Sequence, residues 1–144
     1  MNITEVISQL KQKDNKAAYE YCKQLVAESA ESNQYYEGME SFLELLDDKS
    51  SYIRTRGFLL ICAQARWDEC GKIAENFDQM SLLLNDSKPT VVRQCLSALH
   101  EVALYRPELA ERMEAVLQNI HLEDYKDSMS PLIKKDIDEL LSVL

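Results

Sequence analysis

The segment Asp86–Arg93, with the sequence DSKPTVVR, has a related segment on either side of it in the chain. The earlier one is Asp47–Arg54 (DDKSSYIR) and the later one is Asp127–Lys134 (DSMSPLIK), so the closing cations are 39 and 41 residues apart. Each segment has an Asp seven residues before its cation and a β-branched apolar residue directly before it. Polar residues and proline are typical of a helix start, because proline lacks the N–H that the first turn leaves unpaired. The recurrence predicts a repeated unit with a helix beginning in each segment.

A helical pattern of apolar residues precedes each of these segments. The pattern has apolar residues at positions i, i+4, i+7, i+8 and i+11, which share one face of an α-helix. It begins at residues 35, 73 and 109, in steps of 38 and 36 residues, and only Ser81 departs from it. The matching residues are Tyr35, Met39, Phe42, Leu43 and Leu46; Ile73, Phe77, Met80 and Leu84; and Leu109, Met113, Val116, Leu117 and Ile120. Each unit is therefore predicted to contain two helices.

The same periodicity extends over the rest of the chain, which we predict to be all-α. Residues 1–32 form one further pair of helices, with Asp14 and Asn15 at the start of its second helix. The result is a single domain of residues 1–144 with eight helices in four hairpins. The predicted helices span 3–12, 15–30, 33–46, 51–66, 70–84, 89–105, 107–121 and 131–143.

The composition argues against several classes of protein. The 144 residues include 16 Lys and Arg against 25 Asp and Glu, so the formal net charge is -9. Proteins that bind duplex nucleic acid carry a basic stripe that neutralises phosphates, and no such stripe is visible in the sequence. The N-terminus lacks the features of a signal peptide, and the longest apolar run, Phe58–Ala63, is too short to span a bilayer. We therefore expect a cytoplasmic protein.

The potential metal ligands and nucleophiles form no recognisable motif. No two cysteines make a Cys-x-x-Cys pair, and the two histidines are not at the spacing of a helical metal site. Phosphate-binding glycine loops and nucleophile motifs are missing as well. We predict no catalytic residue, no metal site and no cofactor. The residues considered are Cys22, Cys62, Cys70, Cys95, His100 and His121.

The repeated segments resemble those of HEAT-repeat proteins. A HEAT repeat is a pair of antiparallel helices about forty residues long. It has an Asp in the turn between its helices and a Val-Arg-like dipeptide at the start of the second helix. Residues 33–144 carry these features, and residues 1–32 carry the helix pattern without them, as a capping hairpin does. The resemblance implies an α-α superhelix of about four hairpins. It also implies a non-catalytic role as a protein-interaction or scaffold module.

The resemblance further implies a ladder of ion pairs along the stack of repeats. Its recurrence at the repeat period favours a structural role, because a ligand site rarely needs one copy in every repeat. The residues of the ladder are Asp47, Asp86 and Asp127 with the cations Arg54, Arg93 and Lys134.

In a HEAT-like superhelix, the second helix of each pair lines the inner, concave wall. The polar side of residues 89–105 predicts a ridge there, and shifting by the repeat length extends it to neighbouring helices. This ridge is a candidate surface for a peptide or helix of a partner protein. The candidate residues are Thr55, Phe58 and Cys62; Gln94, Ser97 and Glu101; and Lys135 and Asp138.

A structural interpretation competes with binding at Phe58 and Cys62. The segment 57–63 is apolar on every side, which is typical of a helix buried all round. The N-terminal hairpin could cover both residues, and Arg56 falls on the otherwise apolar side of this helix. We favour burial over an open binding surface.

An enzymatic function is the second hypothesis. Some alkylpurine DNA glycosylases are built from HEAT-like repeats and use aromatic, acidic and basic residues in a concave cleft. The segment Arg66–Glu69 (RWDE) offers these residue types between two repeats. Its counterpart Arg106–Glu108 (RPE) is typical of a helix start, and Trp67 is then a packing residue at a corner. Positive charge clustered with an acid and an aromatic residue in the concave wall would favour the enzyme.

Overall fold

The computed structural model describes all residues from 1 to 144. It is 74% helical and contains no β-strand, which confirms the all-α prediction. The α-helices are α1 (Ile3–Leu10), α2 (Asn15–Ser29), α3 (Met39–Leu45), α4 (Ser51–Ala63), α5 (Lys72–Glu75), α6 (Phe77–Ser81), α7 (Pro89–Tyr105), α8 (Ala110–Gln118) and α9 (Ser130–Leu141). Single 3₁₀ turns lie at Tyr36–Gly38, Ala65–Trp67, Leu82–Asn85, Pro107–Leu109 and Leu122–Asp124.

The segment predicted as one helix over 70–84 is instead broken at Asn76. The side-chain Nδ2 of Asn76 donates to the carbonyl of Lys72 at 2.8 Å, beside the backbone N–H of the same residue at 3.1 Å, and the backbone of Asn76 is not helical, with φ -110° and ψ 14°. The segment is divided into α5, α6 and a 3₁₀ turn. The predictions over 33–46 and 107–121 also began too early, because 3₁₀ turns precede α3 and α8.

Four helices, α2, α4, α7 and α9, lie side by side, each in contact with the next. At one end Arg56 of α4 reaches Asn15, the first residue of α2. At the other end, the amide of Gln64 donates to the hydroxyl of Ser29 at 2.9 Å. These contacts join like ends, so α2 and α4 run in the same direction. We call these four helices the inner layer.

Arginines close the carboxyl ends of two inner helices. Arg66 donates to the carbonyl of Ala30, just after α2, and Arg106 donates to the carbonyl of Ala65, just after α4, each at 2.8 Å. Cations are favourable at helix carboxyl ends, where carbonyls lack intrahelical partners. In each case the arginine follows the next inner helix along the chain.

Gly57 sets the distance between α4 and α3. A Cβ at this position would lie 2.8 Å from the Cβ of Leu45 and 3.0 Å from the carbonyl oxygen of Phe42. The two helices therefore approach closely enough that only glycine fits. Behind them, 34 apolar residues from Val6 to Leu140 form one continuous core. None of the helices combines the length and the apolar composition that a bilayer-spanning helix needs.

The predicted ion-pair ladder forms at one step only. Arg54 pairs with Asp86 at 2.8 Å, whereas Arg93 pairs with Asp136 on α9 at 2.7 Å instead of with Asp127. Asp136 lies on the helix beside α7, while Asp127 is exposed in the connection before α9. The assignment of Asp127 was therefore wrong.

The two remaining ladder residues also bind elsewhere. Lys134 pairs with Asp138 within its own helix, at 2.6 Å. Asp47 is exposed and accepts from the side-chain amide of Gln79 at 3.3 Å. Neither Lys134 nor Asp47 therefore forms an ion pair with a residue of another predicted repeat.

Candidate binding groove

The face formed by α2, α4 and α7 carries a groove, which we call the inner groove. It consists of two adjoining clefts that share Tyr19 of α2 and Gln94 of α7. Measured along α7 from Lys88 to Glu101, it is about 20 Å long at 1.5 Å per residue. That length accommodates one short peptide segment or about three and a half turns of a helix.

The first of the two, the apolar cleft, has a volume of about 280 Å³. Val26, Leu59 and Ala98 contribute apolar side chains from the three helices. Ser97 and Glu101 line it on the α7 side. An apolar floor with a polar edge suits the apolar face of a peptide.

The second, the cationic cleft, has a volume of about 380 Å³. Its wall comes from the amino-terminal ends of all three helices, which begin at Asn15, Ser51 and Pro89. Helix amino-terminal ends carry partial positive charge from their unpaired N–H groups. Lys16 and Lys88 add two full charges, and no Asp or Glu lines the cleft.

Arg56 contributes a third cation to this cleft, from below. Only 2% of the residue is exposed, and its guanidinium donates to the carbonyl of Leu10 at 2.8 Å and to Oδ1 of Asn15 at 2.7 Å. Burial lowers the pKa of Arg56, yet arginine stays charged in proteins. Its charge is bound by dipoles, with no carboxylate to neutralise it. The field of this charge therefore adds to that of the lysines.

Tyrosines accompany the lysines of the inner groove. The Lys88 ammonium lies 5.1 Å from the ring centre of Tyr52, and the Lys23 ammonium lies 5.3 Å from that of Tyr19. Tyr52 is 56% exposed, which is unusual for so large an amphipathic side chain. Exposed tyrosines beside cations are typical of binding surfaces.

Gln94 lies at the junction of the two clefts with an unsatisfied carbonyl. Its Oε1 atom is buried and has no hydrogen-bond partner. Buried polar atoms are normally paired, since leaving one unpaired costs about 1–3 kcal/mol. Gln94 also lines a third cleft of about 300 Å³ between α7 and α9, beside His100 and Glu139.

The structure brings five of the eight predicted ridge residues to the inner groove. Gln94, Ser97 and Glu101 lie along α7 in the order expected, although Gln94 and Glu101 are only partly exposed. Thr55 and Cys62 line the clefts from α4, but both are buried at their base.

The other three ridge residues lie elsewhere. Phe58 is 1% exposed and belongs to the core, so its burial, the favoured interpretation, is what the structure shows. Leu59 lines the groove in its place. On α9, Lys135 and Asp138 point to solvent and pair with neighbours on their own helix. Successive residues of an α-helix are about 100° apart around the helix axis. An error of one residue in the register of α4 therefore moves Phe58 off the ridge and brings Leu59 onto it.

Sequence reasoning missed the cations and tyrosines of the cationic cleft. Lys16, Tyr19, Tyr52 and Lys88 belong to three different segments, and each one alone is an ordinary surface residue. The repeated segments did contain a signal for the cleft. Tyr52 lies in Asp47–Arg54 and Lys88 in Asp86–Arg93, and these two segments begin the neighbouring helices α4 and α7. Only the contact between inner helices shows that they meet.

The segment Arg66–Glu69 is engaged in packing. Trp67 donates from Nε1 to the carbonyl of Ser29 at 2.7 Å. Asp68 is buried and accepts from the Tyr36 hydroxyl at 2.6 Å and from the backbone N–H groups of Lys72 and Ile73, both at 2.9 Å. Burial and the neighbouring Asp68 raise the pKa of Tyr36.

Cysteine chemistry is divided between the core and the surface. Cys22, Cys62 and Cys95 are buried, and Cys70 is exposed. Burial raises the pKa of Cys22 to about 12 and raises the pKa of Cys95 as well. A raised pKa keeps these thiols protonated and unreactive. Nowhere does the structure group three or more His, Cys, Asp or Glu side chains in a way that could hold a metal ion.

No family model, no curated protein and no solved structure matches this chain.

Proposed function

We propose that this chain is a non-catalytic protein-interaction module whose inner groove holds a segment of a partner protein. The proposal includes a HEAT-like superhelix of four hairpins in one domain, with residues 1–32 as the capping hairpin. It also includes a cytoplasmic location, which the four free cysteines support.

The observation that carries the proposal is the inner groove itself. Three helices from different parts of the chain form one continuous surface, with an apolar cleft at one end and a cationic cleft at the other. Stacked helical repeats characteristically use their inner helices as extended binding surfaces. The unpaired Oε1 of Gln94 offers an acceptor for a backbone N–H after a side-chain rotation.

The alternative function, an enzyme acting on nucleic acid, lacks an observation in its favour. Tyrosines and cations meet in the cationic cleft, but the nearest groove carboxylate, Glu101, belongs to the apolar cleft. Trp67 and Asp68, the residues of the RWDE segment that best suited an active site, are hydrogen-bonded within the fold.

Site-specific photo-crosslinking tests the proposal. A photoreactive amino acid at Ser97, which is exposed in the groove, should form adducts with a discrete protein segment in the native cell. The same amino acid at Glu114, exposed on α8, is the matched control and should not yield that segment. Mass spectrometry of the adducts identifies the attached peptide.

Two outcomes would contradict the proposed function. The first is an identical set of adducts from both positions, which would mean random encounter. The second is a nucleic acid attached at position 97, which would favour the enzyme hypothesis instead.

A further inference from the structure

The cationic cleft has a charge opposite to that of the molecule that contains it. The chain carries a formal net charge of -9, yet Lys16, Lys88 and Arg56 converge on a cleft without a carboxylate. None of these three cations takes part in an ion pair. Most other cations of the inner layer, such as Arg54 and Arg93, are paired. The cleft therefore concentrates unneutralised positive charge.

Burial makes this charge more effective than the same charge at the surface. The guanidinium of Arg56 is fixed by three hydrogen bonds to Leu10 and Asn15, so it cannot turn away into solvent. Lower local dielectric strengthens its attraction for an anion in the cleft. The amino-terminal ends of α4 and α7 add partial positive charge in the same place, whereas that of α2 is capped by the Asp14 carboxylate, which accepts from the N–H of Ala17 at 3.1 Å.

We infer that the cationic cleft binds the carboxylates of an acidic segment in a partner protein, whose apolar residues occupy the adjoining apolar cleft. This inference rests on the proposed function of the inner groove and specifies the chemistry of the partner. One half of the partner segment is acidic and the other half is apolar. The rings of Tyr19 and Tyr52 contact the aliphatic parts of its acidic side chains.

A peptide fits this site better than a nucleic acid does. The unpaired cations of the groove occupy one cleft at one end of its length of about 20 Å, and Lys23, in the apolar cleft, is paired with Glu20, whereas a nucleic acid strand needs positive charge along its path. At the other end of the groove Glu101 is paired with Arg66 at 3.7 Å, so that end offers a phosphate backbone no unpaired cation. Long-range repulsion by the net charge of -9 further disfavours a polyanion.

Fluorescence anisotropy with synthetic peptides tests the inference. The probe is a labelled peptide of about 12 residues, matched to the groove in helical length, with Glu in one half and Leu in the other. Its control has Gln in place of every Glu. We expect the Glu peptide to bind at least about tenfold more tightly than the Gln peptide, with an affinity that falls as salt rises.

Charge-reversed proteins localise the binding. Lys16→Glu with Lys88→Glu should weaken binding of the Glu peptide at least about tenfold. The matched control, Lys126→Glu with Lys135→Glu, makes the same change in net charge on exposed residues at and before α9, and should weaken it by less than about twofold. Thermal melts check that both variants remain folded.

The competing results are distinct. Equal binding of the Glu and Gln peptides, or equal weakening by the two double variants, would overturn the acidic specificity while leaving the groove crosslinks of the proposed function intact. Full competition by inorganic phosphate, or tighter binding of an oligothymidine of similar length, would show that the cleft selects phosphoryl groups and would also overturn the inference. Failure of the crosslinking experiment is a separate result and concerns the groove as a whole.

Discussion

Helices α4 and α9 both belong to the inner layer, yet they meet opposite surroundings. In α4, nine of thirteen residues are buried, whereas in α9 three of twelve are, namely Ile133, Ile137 and Leu140. The difference follows from their neighbours. Helix α4 has α2 on one side, α7 on the other and α3 behind it, whereas α9 packs on α7 alone among the inner helices. A helix inside a stack thus loses the amphipathic pattern that a helix at its edge retains.

The largest expected effect comes from a charge placed in the centre of α4. Phe58→Asp puts a carboxylate among apolar side chains with no partner, and should lower the free energy of unfolding by at least about 4 kcal/mol. Urea denaturation measures this change. Leu104→Asp, at a position of α7 that is 66% exposed, is the control and should change stability by less than about 0.5 kcal/mol. Similar transitions for the two variants would contradict the burial of Phe58 in the core.

Removing the buried cation Arg56 of α4 should lower stability more than removing the exposed cation Lys134 of α9. Arg56→Ala leaves the carbonyl of Leu10 and Oδ1 of Asn15 without their donor, at an expected cost of about 3 kcal/mol. Lys134→Ala removes an exposed pair with Asp138 and should cost less than about 0.5 kcal/mol. Differential scanning calorimetry of both variants makes the comparison. If Lys134→Ala were the more damaging, the contrast between the two helices would be lost.

The smallest expected effect concerns the thiols of the core. The pKa of Cys22 is about 12 in the fold against 9.0 for a free thiol, so above pH 9 the unfolded chain loses this proton and the folded chain keeps it. The free energy of unfolding should therefore be unaffected below pH 9 and fall above it, by up to about 1.4 kcal/mol per pH unit for this thiol.

Chemical denaturation between pH 8 and pH 11 measures this fall. Cys22→Ala is the comparison and should show a shallower decline than the wild type, because it lacks the thiol. At pH 8 a thiol reagent should modify the exposed Cys70 quickly and the buried cysteines only as the fold opens. Equal slopes for the two proteins, or rapid modification of all four thiols, would show that the centre of the molecule is open to solvent.

The parts of the fold that depend on local sequence could be predicted from it. Helix α7 was predicted over 89–105 and begins and ends there, because Pro89 fixes its start and its apolar residues keep a regular spacing. The segment 70–84 was misjudged since a side chain bonds to its own backbone at Asn76, which apolar spacing does not reveal. Apolar periodicity therefore predicted that a segment is helical, but it did not predict whether the helix is continuous.

The candidate site was predicted in part, and the limit has a physical reason. On α7 one face is buried, so Gln94, Ser97 and Glu101 could be assigned to the opposite face. On α4 apolar residues lie on every face, including the face that lines the groove, so no pattern distinguishes Leu59 in the groove from Phe58 in the core. The cationic cleft depends on contacts between three separate helices, which one sequence does not display.

The arginines that close α2 and α4 give the stack a direction. Arg66 and Arg106 each follow one inner helix and bind the carbonyl at the end of the inner helix before it. Cutting the chain between α5 and α7 would therefore leave the carbonyl of Ala65 without its arginine, while Arg66 would still bind the carbonyl of Ala30. Assembly from two fragments should accordingly depend on whether the carboxyl-terminal piece contains Arg106. Each inner helix of the pair is capped by an arginine that follows the next inner helix.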